Sequence, residues 1–491
     1  MRLTRASVAA LALAITAGCG TASAAPQPVT ATQPAKASQA TPSPRNGHGE
    51  LAYVAYGKLY LRGGPAGGPA GAPHRVTLPG LPYAPAWSAD GRWLAVQVSS
   101  PPPASQPFLQ QPATLWLVNA AGTSARRITP ASWQVSGFAW APHRDELAVA
   151  AYLPKAPPAR ADLAATLTPA GQYRILAAGQ TLTGPAWSPD GTRLAVGTAT
   201  FTAGQWHSRL DLLSPSAGTS AVAATNTGNV LELAGWWPDG HGLLYWTDYQ
   251  GSASIAADGL PLDAIALGSR SPRTLLPAML VHASWLAPAP RGRAFAAVAG
   301  GDRVIWSGGK QITLCAPAGR CTPVRQPAGV VSVGPSWSPG GSAIVFARLS
   351  ASGPFGPGGH ADFTPSWITR WEATSTLWTA PAPAPAPVAA PGSVAANGSA
   401  PATGPAPAPG SAATGSAARL LTAAGRGAHD PVWGRDGSVL FVRADSLWLL
   451  PPRAAAPIRL TGPLGVLSGP AFDQTYYGYV PYPQLFAWTL S

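Results

Sequence analysis

Residues Pro185 to Gly197 read Pro-Ala-Trp-Ser-Pro-Asp-Gly-Thr-Arg-Leu-Ala-Val-Gly, and this stretch decides the fold. A short apolar segment ends on Trp187, a turn follows, and a β-branched apolar segment resumes at Leu194. Pro-Asp-Gly is turn chemistry: proline presets φ, the aspartate carboxylate accepts from its own backbone, and glycine tolerates positive φ. Both flanking segments are too short for helices, so the unit is a β-hairpin.

The same unit recurs outward in both directions. It stands at Trp87 (PAWSADGRWLAVQ), Trp140 (FAWAPHRDELAVA), Trp236 (AGWWPDGHGLLYW), Trp285 (ASWLAPAPRGRAFAAV), Trp337 (PSWSPGGSAIVFA) and Trp433 (PVWGRDGSVLFVR). From Trp87 to Trp337 the intervals run from 47 to 53 residues. The next interval, 96 residues, contains a Pro/Ala-rich insertion at about 380–418 that cannot supply a core. A weaker eighth copy, GPAFDQTYYGYV, places Phe472 in the tryptophan position. Each hairpin is followed by a strand such as TLWLVN (Trp116), TLWTA (Trp378) or SLWLL (Trp448), and then by a short one such as RRIT or IRLT. Four short strands per period is the pattern of a propeller blade, and a large rigid tryptophan suits the surface that one blade alone cannot bury.

WSPDG followed by a LAV-like strand resembles the TolB-like propeller repeat, which also occurs in propeller lipoproteins of Gram-positive bacteria. The resemblance covers roughly residues 50–490. It departs at His143-Arg144, at Ala289-Pro290, and at Gly340 in place of the aspartate. It implies a single β-propeller and a role in envelope assembly or signalling outside the cytoplasmic membrane. ELAYVAY, KLYLRG and HRVTL read as the last three strands of a blade whose first strand the C-terminal GPAF would supply. Eight blades are favoured, closed by mixing N- and C-terminal strands. Seven is the rival count, and YYGYV and QLFAWTL are surplus.

The N-terminus reads as an export signal. Arg2 and Arg5 precede an uncharged apolar stretch from Ala6 to Ile15, too short to span a bilayer, and then Thr16-Ala17-Gly18-Cys19. Small residues before a cysteine resemble the lipobox, so residues 1–18 are read as a lipoprotein signal and Cys19 as the lipidation site. Thr16 departs from the preferred Leu or Val, and cleavage after Ala22-Ser23-Ala24 is the alternative. Residues 19–48 are read as a tether and 49–491 as the propeller. Cys315 and Cys321 flank a tight strand–turn–strand, which places them within disulfide reach, and an oxidising compartment permits the bond.

Composition bounds the rest. Charged residues make up only 10% of the chain, with 55 Gly and 56 Pro, yet 46% hydrophobic residues and 19 Trp require a real core. The net charge of +13 fits an anionic surface or simple solubility; Arg126-Arg127 is the only adjacent basic pair. Asp90, Asp190, Asp239 and Asp436 sit in equivalent turns, one per blade, and are read as structural. His48, His74, His143, His207, His241, His282, His360 and His429 fall singly, without metal-ligand spacing. No nucleophile elbow, phosphate loop or dinucleotide fingerprint occurs. Two small clusters, Trp206-His207 and Trp246 with Asp248-Tyr249, are not specific. The most individual stretch is GPFGPGGHADFTPSWITRWEATSTLW, in which Phe363, Trp367 and Trp371 accompany His360, Asp362 and Arg370. It reads as an elaborated blade edge or as a ligand-binding loop. The expectation is a membrane-anchored, non-enzymatic scaffold for an envelope protein or an anionic envelope ligand, without cofactor, metal or nucleic acid. The alternative is an extracytoplasmic enzyme or carbohydrate-binding protein using the central pocket.

Overall fold

The computed structural model describes residues 50–489 apart from 64–70, 102–111, 154–160, 180, 291–293, 308, 317–318, 353–363, 383–416, 422, 424 and 468–476. Cys19, the tether, Phe472, His360, Asp362 and Phe363 lie outside the described residues. Strands dominate and form eight four-stranded antiparallel sheets, the blades of one propeller. Blade 4 serves as the type: Thr181–Trp187, Leu194–Thr202, Gln205–Ser214 and Thr219–Thr227, paired in that order. First strands of consecutive blades pack on one another, and fourth strands carry the exposed residues. The former therefore ring the axis and the latter form the rim.

The hairpin that decides the fold has the expected register. Trp187 pairs with Leu194, as Trp87 does with Leu94, Trp140 with Leu147, Trp236 with Leu243, Trp337 with Ile344 and Trp433 with Val439. Two residues before four of these tryptophans stands a proline: Pro85, Pro185, Pro335 and Pro431. Proline cannot donate to the ladder, and the pairing slips there in each case. The residue before the proline takes positive φ (Ala84, Gly184, Gly334, Asp430).

Two expectations are corrected by this register. Trp285 is not in the repeat position. In blade 6 the residue paired with Phe295 is Pro288, while Trp285 ends a 3₁₀ turn (Ala283–Trp285) and is buried at 2% exposure. The Ala-Pro-Ala-Pro run displaces the turn by three residues, so the motif match at Trp285 is local and accidental. The ring is closed, as expected, by a C-terminal first strand on the N-terminal blade, but the closing strand is Phe486–Thr489 from the surplus QLFAWTL rather than GPAF. Trp488 faces Leu51 there and fills the eighth tryptophan position. The Pro/Ala-rich insertion joins the third and fourth strands of blade 7. Ala380 and Pro381 belong to the third of these strands, Thr376–Pro381, with Ala380 buried.

The core consists of clusters that each join neighbouring blades, built from second and third strands such as Leu194, Val196 and Leu210, fully buried in blade 4. Cys315 and Cys321 form a disulfide across the third and fourth strands of blade 6.

Candidate functional site

Strand direction divides the molecule into two faces. One carries the turns between first and second strands and between third and fourth; the other carries the second-to-third connections and the links between blades. Glu50 and Thr489 are paired at the start of a second strand and the end of a first, so both described ends leave on the turn face.

The turn face is structural. Asp90, Asp190, Asp239 and Asp436 each accept from the backbone N–H two residues on, at 2.9–3.0 Å. The Ser188 hydroxyl and the Thr192 N–H hold Asp190 down to about 2. The tryptophans join neighbouring blades through their indole N–H groups. Trp140 donates to the Ala86 carbonyl (2.9 Å), Trp187 to Ala139 (3.2 Å), Trp236 to Ala186 (2.9 Å), Trp337 to Ala287 (2.7 Å) and Trp87 to Ala487 (3.3 Å). Each acceptor immediately precedes the tryptophan position of the blade before. Arginines add a second set of links: Arg193 donates to the Gly240 carbonyl, Arg174 to Pro215 and Arg273 to Gly319, each in the next blade.

The other face is elaborated. It carries helix α1 (Ala253–Asp258), the loop 300–310, helix α2 (Pro365–Glu372) and the C-terminal segment 477–485. The Thr364 hydroxyl caps α2 by accepting from the Trp367 N–H, and Pro365 occupies its first turn. Trp367 and Trp371 stack on each other and meet Trp306 edge-on, with centroids 4.6 and 5.5 Å away. Of the extra aromatics of this stretch, Trp367 and Trp371 therefore pack within the face. Loop 300–310 is organised by Lys310. Its fully buried ammonium donates to the carbonyls of Gly301, Asp302, Val304 and Ser307 at 2.6–2.9 Å. Burial draws it down to about 8, opposed by Asp302.

Segment 477–485 crosses this face from blades 5 and 6 to blade 1. Arg303, paired with Asp258 of α1, lies over the Tyr477 ring, and Ile305 N–H donates to the Tyr477 carbonyl. Gly478 has positive φ, and a Cβ there would sit 2.3 Å from Trp306, so only glycine fits. Tyr479 stacks on His282 at 3.9 Å and bonds Ser284. Leu485 then accepts from the Val54 N–H at 2.7 Å.

Beneath this segment lies a buried ionisable cluster. His429 and Asp430 sit at the bulge of the first strand of blade 8, where positive φ turns Asp430 back so that its carboxylate meets His429 Nδ1 at 2.9 Å. Glu372, the last residue of α2, lies 3.7 Å from His429 Nε2 and accepts from the Tyr482 hydroxyl at 3.4 Å. Asp445 stands near and accepts from the N–H groups of Gly465 and Val466. Burial pushes the Glu372 carboxyl up to about 7, with Asp430 and Asp445 adding to the rise and His429 opposing it. Burial pulls His429 down, yet Glu372 and Asp430 outweigh it and leave its pKa raised. The cluster can hold and exchange a proton near neutrality, and through Tyr482 it ties the crossing segment to blades 7 and 8. Among the described residues no group of three or more His, Cys, Asp or Glu is placed to hold a metal ion.

In the sequence His429 reads only as a lone histidine, Glu372 is one residue of the aromatic stretch, and Tyr482 stands between the surplus YYGYV and QLFAWTL. These three come from separate segments, and no local spacing links them.

No protein-family model matches the chain, and no curated protein does. Solved structures it is similar to include TolB from Acinetobacter baumannii, at 13% identity and a TM-score of 0.35, covering 57% of this chain and 64% of that one. Another is a prolyl endopeptidase structure (10%, TM-score 0.43), of which this chain covers 48% against 76% of its own length. A third is an oligogalacturonate lyase in complex with manganese (14%, TM-score 0.37), with 62% of this chain and 87% of that chain covered. The chain thus spans about two thirds of TolB and about half of the peptidase, and its neighbours include both TolB propellers and propeller enzymes.

Proposed function

We propose that the chain is an exported propeller scaffold, anchored through lipid at Cys19, that binds an envelope protein or anionic envelope ligand without catalysing a reaction. One observation carries this reading: the described ends leave on the uniform turn face, while the helices and the crossing segment lie on the opposite face. An anchor preceding Glu50 turns the elaborated face away from the membrane, where a partner reaches it. Beneath that face the ionisable groups engage one another, as a supporting framework does. The test places a photo-crosslinking side chain at exposed Ile255 of α1 or at exposed His241 of the turn face, in membranes of the producing cell. Adducts from 255 and none from 241 are expected; the reverse pattern refutes the orientation. Cys19→Ala should move the protein to the soluble fraction.

A second reading, an enzyme or carbohydrate-binding protein using the channel mouth, draws on the convergence of Glu372, His429 and Asp430 there. It requires segment 477–485 to lift. Sugar binding abolished by Glu372→Gln would establish it over the first.

A further inference from the structure

The rim carries a feature that neither face uses. An outer strand exposes one unpaired backbone edge, which invites a further strand unless it is short, charged or interrupted by proline. Six of the eight outer strands carry an arginine: Arg75, Arg126 with Arg127, Arg174, Arg273, Arg419 and Arg459. The seventh, Cys321–Pro323, has three residues, ends in proline and is held by the disulfide. Blade 4 is the exception. Its outer strand, Thr219–Thr227, runs nine residues, Thr-Ser-Ala-Val-Ala-Ala-Thr-Asn-Thr, without a charge or a proline, and Val222 is 53% exposed. In a chain of net charge +13 this is, among the described residues, the one long outer strand without a charge or a proline.

A groove of about 510 Å³ lies beside this edge, between Val222–Asn226 and the facing side of blade 5. Its wall includes Leu231, Tyr245 and Ile265, an apolar surface with room for side chains. Asp263 also lines it, but both carboxylate oxygens accept hydroxyls, from Thr247 and Thr274, each at 2.6 Å. Arg270, exposed on the adjoining turn, has no ion-pair partner among the described residues. The free charge of the groove is therefore positive.

We propose that an extended segment of a partner protein, bearing small apolar side chains and one acidic side chain, adds antiparallel to Thr219–Thr227 as a fifth strand of blade 4. Main-chain hydrogen bonds to the open edge supply affinity, and alternate side chains entering the groove supply specificity. The acidic side chain meets Arg270 in a charge-assisted bond. A second copy of this chain fits less well: antiparallel pairing of two such edges reverses one propeller and sends its termini to the opposite side. The surface is separate from the elaborated face, so its failure leaves the reading of that face untouched.

The probe is a fluorescein-labelled octapeptide alternating valine and threonine around one glutamate, with a second peptide carrying lysine in its place. Anisotropy should show the glutamate peptide binding about tenfold more tightly than the lysine peptide, a difference that one such contact supports. Hydrogen exchange should slow within 219–227 when it binds. Arg270→Glu, at an exposed position, should invert the order of the two peptides, and Val222→Lys should weaken both. Equal binding of the peptides to both proteins, or unchanged exchange in the strand, overturns the proposal. A dimer in sedimentation that Val222→Lys dissolves assigns the edge to a second copy and overturns it equally.

Discussion

The two faces of this propeller are built by different rules. On the turn face, the same contacts recur in several blades: an aspartate closes its own turn, an indole donates to the previous blade, and an arginine donates to the next one. On the elaborated face nothing repeats. Lys310 satisfies four carbonyls of its own loop, three tryptophans from two blades pack together, and a segment near the C-terminus threads between them. Repetition makes a rigid ring that tolerates loss of one link. The unrepeated face concentrates stability in a few side chains, and single changes there should cost most.

Trp285 offers the sharpest contrast with the repeat tryptophans. It sits fully within the core beside His282 and Tyr479, where its ring anchors the link between blades 5 and 6 to the crossing segment. Trp285→Ala should lower unfolding stability by about 3–5 kcal/mol in chemical denaturation, the cost of a large core cavity. Lys310→Met should follow at about 3 kcal/mol, because the four part-buried loop carbonyls lose together the ammonium that joins them. Either change should also speed hydrogen exchange in 477–485. A loss under 1 kcal/mol for both would show that the two faces share stability evenly.

The unequal legibility of the faces has the same origin. Trp187 and its Pro-Asp-Gly turn are readable because the strands they join are neighbours in sequence, so hairpin chemistry and pairing coincide. Trp488 fills the same position, but its partner strand begins at Glu50, at the other end of the described chain, so the pairing is not a hairpin and carries no local turn signal. Trp285 shows the converse failure, a local match whose pairing belongs to Pro288. The ionisable cluster was invisible for a further reason. Glu372 ends an inserted helix, His429 opens a blade, and Tyr482 lies between two segments read as surplus; only the closed ring brings them together.

That cluster gives the comparison a pH axis. Glu372 has a folded pKa of about 7 against an ordinary 4.5, so between these values the folded protein holds a proton that the unfolded chain has released. Stability therefore falls as pH rises from 4.5 to 7, by about 3 kcal/mol for this group. His429, raised above its ordinary 6.5, acts in the same direction as pH climbs past that value. Glu232 in blade 5, raised to about 7 by burial and Asp248, contributes a similar slope of its own. Denaturation midpoints of the parent and of Glu372→Gln, compared from pH 4.5 to 8, isolate the cluster. The variant should lose the part of the decline that belongs to Glu372, and parallel curves would remove the cluster from the account.

The smallest effect should come from the repeated face, and its reach matters more than its size. Trp187→Phe keeps an aromatic ring between blades 3 and 4 but removes the N–H donated to the Ala139 carbonyl together with the second ring of the indole, over which Arg144 lies. The cost should be about 1–2 kcal/mol, the net worth of one such bond together with the packing lost with the second ring. Trp433 occupies the same position in blade 8, but its indole donates to Gly437 in its own turn, and Ser336 of blade 7 instead accepts from its backbone N–H. Trp433→Phe should therefore cost a similar amount without loosening its neighbour. Hydrogen exchange separates the two cases. Trp187→Phe should speed exchange in the first strand of blade 3, Gln134–Trp140, as well as in blade 4, whereas Trp433→Phe should leave Val330–Trp337 of blade 7 unchanged. If both variants loosen only their own blade, the indole links do not couple the ring, and packing alone holds the repeated face together.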